Sequence, residues 1–152
     1  MIANLMRHSA ILSGISADKR RELVGRFEPR TFARGERLVQ QGQAPSSLYL
    51  LASGTVQVRS RDAAGEQTVL AELGPGDVVG EISLVLRRPA SADVVALSAV
   101  LALALSREQF TDAIRELPEL LRELYDIAIQ REEETRSVVA QEALDVTDIV
   151  LL

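Results

Sequence analysis

From Glu28 onward, short segments rich in apolar residues are separated by turn formers: Gly35, Gly42 to Pro45, Gly54, Asp62 to Gly65, and Gly74-Pro75-Gly76-Asp77. Punctuation at intervals of about ten residues predicts an all-β sandwich or barrel. Within it, Thr55 to Arg59 alternates, with Val56 and Val58 pointing one way and Thr55, Gln57 and Arg59 the other. Leu101, Leu103 and Leu105 alternate with Ala102 and Ala104, which places large side chains on one face and small ones on the other. That strand is expected to be covered on both sides.

The helical period frames this region at both ends. Met1 to Leu12 reads as a weak helix, and after the break at Ser13-Gly14 a second short helix is expected, with Ser16 as N-cap and Leu23, Val24 and Phe27 as its apolar edge. Ser106 and Gln109 form the signature of a capping box. Phe110, Ala113, Ile114 and Leu117 then sit at i, i+3, i+4 and i+7, one stripe of a helix. Pro118 breaks that pattern and suits the first turn of a further helix carrying Leu120, Leu121, Leu124, Ile127 and Ala128.

Between Asp77 and Val94 lies a stretch of a different kind. Gly80-Glu81 opens it, a short apolar turn follows, and Pro89 closes it before Val94-Val95. A loop and single helical turn placed between strands presents backbone N–H groups that can hold an anion. Here the chain resembles the phosphate-binding cassette of the cyclic nucleotide-binding domain family. Gly80, Glu81, Ile82, Ser83, Leu84, Pro89, Ser91 and Ala92 fit the family pattern with no insertion or deletion. The order of helix, strands, helix and helix from about Ser9 to Gln130 also resembles that domain. The fold implied is mainly β with flanking α: an antiparallel, jelly-roll-like β-roll with N-terminal helices, a short cassette helix and two C-terminal helices.

The resemblance implies that Glu81 accepts a hydrogen bond from a ribose hydroxyl. It also implies that Gly80, Ile82, Ser83, Ser91 and Ala92 contact phosphate through backbone or small side chains, and that the ligand is cyclic AMP or cyclic GMP. Taken alone, Gly80-Glu81 reads more readily as a turn and a helix N-terminus, where a carboxylate is favourable in any case. One position departs from the pattern: the family's phosphate-gripping arginine falls on Ala90. Losing one member of a buried, charged hydrogen-bonded pair costs roughly 2 to 5 kcal/mol, and only a guanidinium offers a fixed bidentate fork. Arg87 and Arg88 are the candidate substitutes, against the plainer reading of two solvated loop arginines. The leading expectation is a non-enzymatic regulatory or protein-interaction module with nucleotide binding weakened or lost. The alternative is a true cyclic AMP or cyclic GMP sensor.

Composition narrows the remaining classes. The 152 residues suffice for one domain with a substantial core. The sequence has no cysteine, so disulfides and thiolate metal sites are excluded, and a cytoplasmic setting is expected. A single histidine, His8, excludes a metal-dependent cupin enzyme, and no nucleophile elbow or phosphate-loop lysine motif is present. The chain is therefore expected to be no enzyme and to hold no cofactor. The longest nearly apolar run, Val94 to Leu105, falls well short of the roughly 20 residues that span a bilayer. Net charge is −5, with 17 Lys plus Arg scattered among 22 Asp plus Glu. That pattern, and the end of the sequence at Leu152, set the expectation of no DNA-binding domain. Residues 1–130 are expected to form the domain and 131–152 the end of the last helix and an acidic-apolar tail. A protein partner or fused effector is expected. Two readings of the C-terminal helix stand side by side: a homodimer, for which Leu117, Leu124 and Val138 fall at a-type and Leu120 and Ile127 at d-type heptad positions, and packing of Leu120, Leu121 and Leu124 back onto the β-roll.

Overall fold

The computed structural model describes residues 16–80 and 87–119 and, in the helix that follows, Arg122, Asp126, Ile129, Gln130 and Glu133. Readings that fall on Met1 to Leu12, on Glu81 to Leu86, on the rest of the last helix and on the tail 145–152 lie outside the described residues.

Among the described residues, eight strands form two four-stranded antiparallel sheets. They are β1 (Glu28–Phe32), β2 (Arg37–Val39), β3 (Ser47–Ser53), β4 (Val56–Arg61), β5 (Gln67–Leu73), β6 (Val78–Val79), β7 (Asp93–Ala96) and β8 (Val100–Ser106). One sheet runs β1-β8-β3-β6 and the other β2-β7-β4-β5. The result is the β-roll that the family resemblance implies, within the all-β class that the punctuation predicts. The apolar run Val94 to Leu105 is divided between β7 and β8 by a bend at Leu97 and Ser98.

Strict alternation along the central strands builds two apolar clusters on opposite sides of the first sheet. From β3, Leu48 and Leu50 face one way while Tyr49 and Leu51 face the other. From β8, Leu103 and Leu105 separate in the same way from Ala102 and Ala104. The leucines meet α1 (Ala17–Val24) and α2 (Arg107–Glu116), where Leu23, Phe110, Ala113 and Leu117 complete the cluster and Val24, Phe27 and Ile114 pack at its edge. Each fully buried leucine there contributes about 1.5 to 3 kcal/mol relative to exposure. The tyrosine and alanines face the interior between the two sheets, together with Val39, Val56, Val79 and Val94.

The helices begin where their caps place them. Ser16 Oγ accepts the Lys19 N–H at 3.4 Å, and Ser106 Oγ accepts the Gln109 N–H at 3.2 Å. Leu117 ends α2 with its N–H on the Ala113 carbonyl, and Pro118 opens the next helix. Arg26 pairs with Glu116, and Lys19 with Glu119 at 2.8 Å, so α1 and the turn that follows it are tied to the two later helices. At the β3–β4 corner Gly54 has φ +84, and a Cβ there would lie 2.2 Å from the Ala99 carbonyl oxygen, so no side chain fits.

Candidate functional site

The cassette leaves the first sheet at β6 and enters the second at β7, so it bridges the two. At its start, Gly80 has φ +88, and a Cβ would come within 2.8 Å of the Ser47 carbonyl oxygen. A glycine is therefore required both by backbone conformation and by the close approach of β3. Glu81, Ile82 and Ser83, the residues expected at the ribose and phosphate, lie outside the described residues.

The second half of the cassette is described. Arg87 is exposed and left-handed at φ 53, while Arg88 is half-buried. After Pro89 the chain turns inward. Ala90 is 5% exposed, and its methyl group packs in the inter-sheet cluster with Leu38, Val39, Tyr49 and Val79. Position 90 thus faces the interior of the roll and brings no charge to it. Both of its backbone groups are engaged: the Ala90 N–H donates to the Gln43 carbonyl at 3.0 Å, and its carbonyl accepts the Gly42 N–H at 2.8 Å. Ser91 is exposed, and its carbonyl accepts from Ser60 Oγ at 3.4 Å. Ala92 is buried.

Asp93, the first residue of β7, was not among the residues singled out from the sequence. Its side chain is 1% exposed, and Oδ1 accepts the Gln41 N–H at 2.8 Å. Oδ2 lies 3.4 Å from Arg61 Nε and 3.9 Å from Arg37 Nε. The Gln41 side chain in turn exchanges two hydrogen bonds with the Arg61 backbone, donating at 2.9 Å and accepting at 2.8 Å. The available signal was a carboxylate at the head of an apolar strand, where an ionised group needs partners. Among the described residues no group of three or more His, Cys, Asp or Glu side chains could hold a metal.

A family model described as "Cyclic nucleotide-binding domain" matches residues 29–116, more than half of the chain. The chain belongs to the cyclic nucleotide-binding domain family. It is 33% identical over 126 residues to the cyclic AMP receptor protein of Thermus thermophilus, covering 83% of this chain and 58% of that one. It is 32% identical over 104 residues to the cAMP-dependent protein kinase type II regulatory subunit of Drosophila melanogaster, covering 68% of this chain and 27% of the relative. Among solved structures, the Thermus thermophilus catabolite activator protein superposes with TM-score 0.74 at 30% identity, over 95% of this chain and 63% of that one. The regulatory subunit of a cAMP-independent protein kinase A from Trypanosoma cruzi, bound to guanosine, superposes with TM-score 0.77 at 26% identity, over 92% and 48%. By name these relatives are a receptor, an activator and two regulatory subunits.

The relatives correct the expectations about partners. The chain spans 58% of the Thermus protein and 61% of a CRP-like global transcriptional regulator from Mycobacterium tuberculosis. Where this sequence ends therefore carries no argument against a DNA-binding domain. Its dispersed charge describes only the segment at hand. The homodimer reading fails at Leu117, which is 5% exposed and packed in the domain's own core beside Phe110 and Ala113, so it is not free for a partner helix. Its other heptad positions lie outside the described residues. No described helix is long and apolar enough to cross a membrane.

Proposed function

We propose that this domain is a non-enzymatic regulatory module whose grip on a cyclic nucleotide is weakened at the phosphate. The observation that carries this reading is Ala90. It stands at the cassette position where the family pattern has arginine, its side chain is a buried methyl group, and its backbone is committed to the Gln40–Gln43 turn. The family and the regulatory names of the relatives support the module. The uncharged side chain at position 90 supports the weakened grip, because a cyclic phosphate brought into the roll loses a bidentate cation there.

A second reading is favoured by the likeness to the guanosine-bound Trypanosoma cruzi subunit. A neutral nucleoside carries no phosphate and does not call for a cation at position 90, so the same pocket would bind purine nucleosides through the ribose side of the cassette.

Calorimetric titration of the chain and of Ala90→Arg with cyclic AMP, cyclic GMP and guanosine tests both. The expected result is no micromolar binding of either cyclic nucleotide by the unaltered chain and at least about a tenfold gain in Ala90→Arg, consistent with one charged contact. Micromolar binding by the unaltered chain overturns the proposal in favour of a direct cyclic AMP or cyclic GMP sensor, with Arg87 or Arg88 supplying the charge. Guanosine binding without cyclic nucleotide binding selects the nucleoside reading.

A further inference from the structure

The buried carboxylate of Asp93 is an unusual component of a strand whose other residues, Val94, Val95 and Ala96, are apolar. In the register of the sheet it stands opposite Arg59 and therefore on the outer face, away from the inter-sheet cluster. A carboxylate at 1% exposure is costly to desolvate and persists only with partners. Its Oδ1 reaches one short turn, while Oδ2 faces the side chains of Arg61 and Arg37. Oδ1 holds the Gln41 N–H, and the next two residues of that turn, Gly42 and Gln43, hold the carbonyl and the N–H of Ala90.

Asp93 lies three positions beyond Ala90, so these bonds close a ring. The chain runs from Ala90 through Ser91 and Ala92 to Asp93, crosses from the Asp93 carboxylate to the Gln41 N–H, and returns from Gly42 to Ala90. Ser91 and Ala92 are the middle of that ring. The turn is itself anchored, because the Gln41 amide brackets the Arg61 backbone at the end of β4. The Nε atoms of Arg37 and Arg61, on side chains that are partly exposed, offset the carboxylate's charge.

We propose that Asp93 is a positioning residue of the cassette. By holding the Gln41 N–H it fixes the Gln40–Gln43 turn, and through that turn it sets the backbone of Ala90 to Ala92 in one shape before any ligand arrives. This deepens the cassette reading, on which its relevance to ligand depends, but the positioning itself is measurable without ligand. A preset backbone lowers the ordering cost of binding.

Amide hydrogen exchange followed residue by residue by NMR decides it. In Asp93→Ala, exchange at Gly42 and Ala90 is expected to quicken at least about tenfold while the paired amides of β3 and β8 keep their rates, since local opening need not pass through global unfolding. Asp93→Asn, which keeps an oxygen for the Gln41 N–H, should stay within about threefold of the unaltered chain on the same scale. Asp93→Val suits a strand and serves in place of the alanine variant should that not fold. Unchanged rates at Gly42 and Ala90 overturn the proposal, as does equal acceleration in β3 and β8, which would make Asp93 a general stabiliser. In the Ala90→Arg background, adding Asp93→Val should weaken cyclic AMP binding by at least about tenfold; undiminished binding also overturns it. If Ala90→Arg alone binds no cyclic AMP, the cassette reading fails, and the exchange rates still decide the role of Asp93.

Discussion

The two apolar clusters on either side of the first sheet are made by the same strands from different side chains. Toward the helices, β3 and β8 present Leu48, Leu50, Leu103 and Leu105 against Leu23, Phe110 and Leu117. Toward the second sheet, β8 presents Ala102 and Ala104, and Ala90 and Ala96 add further methyl groups beside Tyr49, Leu51 and the valines. Large aliphatic side chains interlock and leave little tolerance for loss. A lining of small side chains keeps the two sheets close while setting little of its own shape. The first cluster secures the helices, and the second receives Ala90 of the cassette, so the helix packing and the anchor of the cassette lie on opposite faces of one sheet.

Leu103→Ala should break the first cluster most severely. At 2% exposure on a central strand, its truncation is expected to cost about 2 to 5 kcal/mol in urea denaturation. A loss below about 1 kcal/mol would show that the leucine face does not bear the fold's stability.

Gly80→Ala comes next, because it forces a left-handed alanine whose Cβ approaches the Ser47 carbonyl oxygen. A cost of about 1 to 3 kcal/mol is expected, together with a changed chemical shift for the Ser47–Leu48 amides, where the contact lies. An alanine tolerated without either change would mean that the start of the cassette is free to rearrange.

Ala90→Arg probes the small-residue cluster directly. Placing a guanidinium where a methyl group is 5% exposed should destabilise the unliganded domain by about 1 to 3 kcal/mol. Cyclic AMP should then raise the melting temperature of this variant and leave that of the unaltered chain nearly unchanged. A variant as stable as the parent without ligand would show that the interior at position 90 has room to spare.

The smallest effect is expected at an exposed ion pair that belongs to neither cluster. The hydrogen bond from Lys19 holds the Glu119 carboxyl below its ordinary value of 4.5. A carboxyl whose folded pKa is depressed contributes stability above its unfolded pKa and loses it as pH falls through the folded value. Glu119→Gln should therefore leave the stability at pH 7 almost unaltered and reduce only the acid dependence below about pH 4.5, because the pair is exposed and screened by solvent. A large loss at neutral pH would reveal a structural role for the contact between α1 and the last helix.

Much of this arrangement was legible in the sequence. The alternation of Leu101 to Leu105 announced a strand covered on both faces. Ser16 and Ser106 marked two helix starts, and Gly80 marked the turn that opens the cassette. All of these signals are local. β1 was not legible: Glu28-Pro29-Arg30-Thr31-Phe32 shows no alternation, because an edge strand pairs on one side only and is mostly exposed. Proline is tolerated there for the same reason. The Asp93 network was equally hidden. Its decisive bond joins positions separated by 52 residues, and neither Gln41 nor Asp93 carries a pattern that names the other. The heptad reading of Leu117 failed because one apolar spacing serves a paired helix and a helix packed on a sheet alike.

The pairing of β1 with β8, from Glu28 opposite Ala104 to Phe32 opposite Val100, sets the order in which the roll can be completed. A contact between the first and last strands must wait for everything between them, and topologies of this kind fold on timescales of about milliseconds to seconds. During synthesis at about 5 to 20 residues per second, β1 leaves the ribosome several seconds before its partner exists. A strand waiting that long with bare amides is a template for association with other chains, a hazard that short length, charge and proline each reduce. Glu28, Pro29 and Arg30 supply the charge and the proline. The polar character that obscures β1 in the sequence thus also protects the nascent chain until β8 arrives.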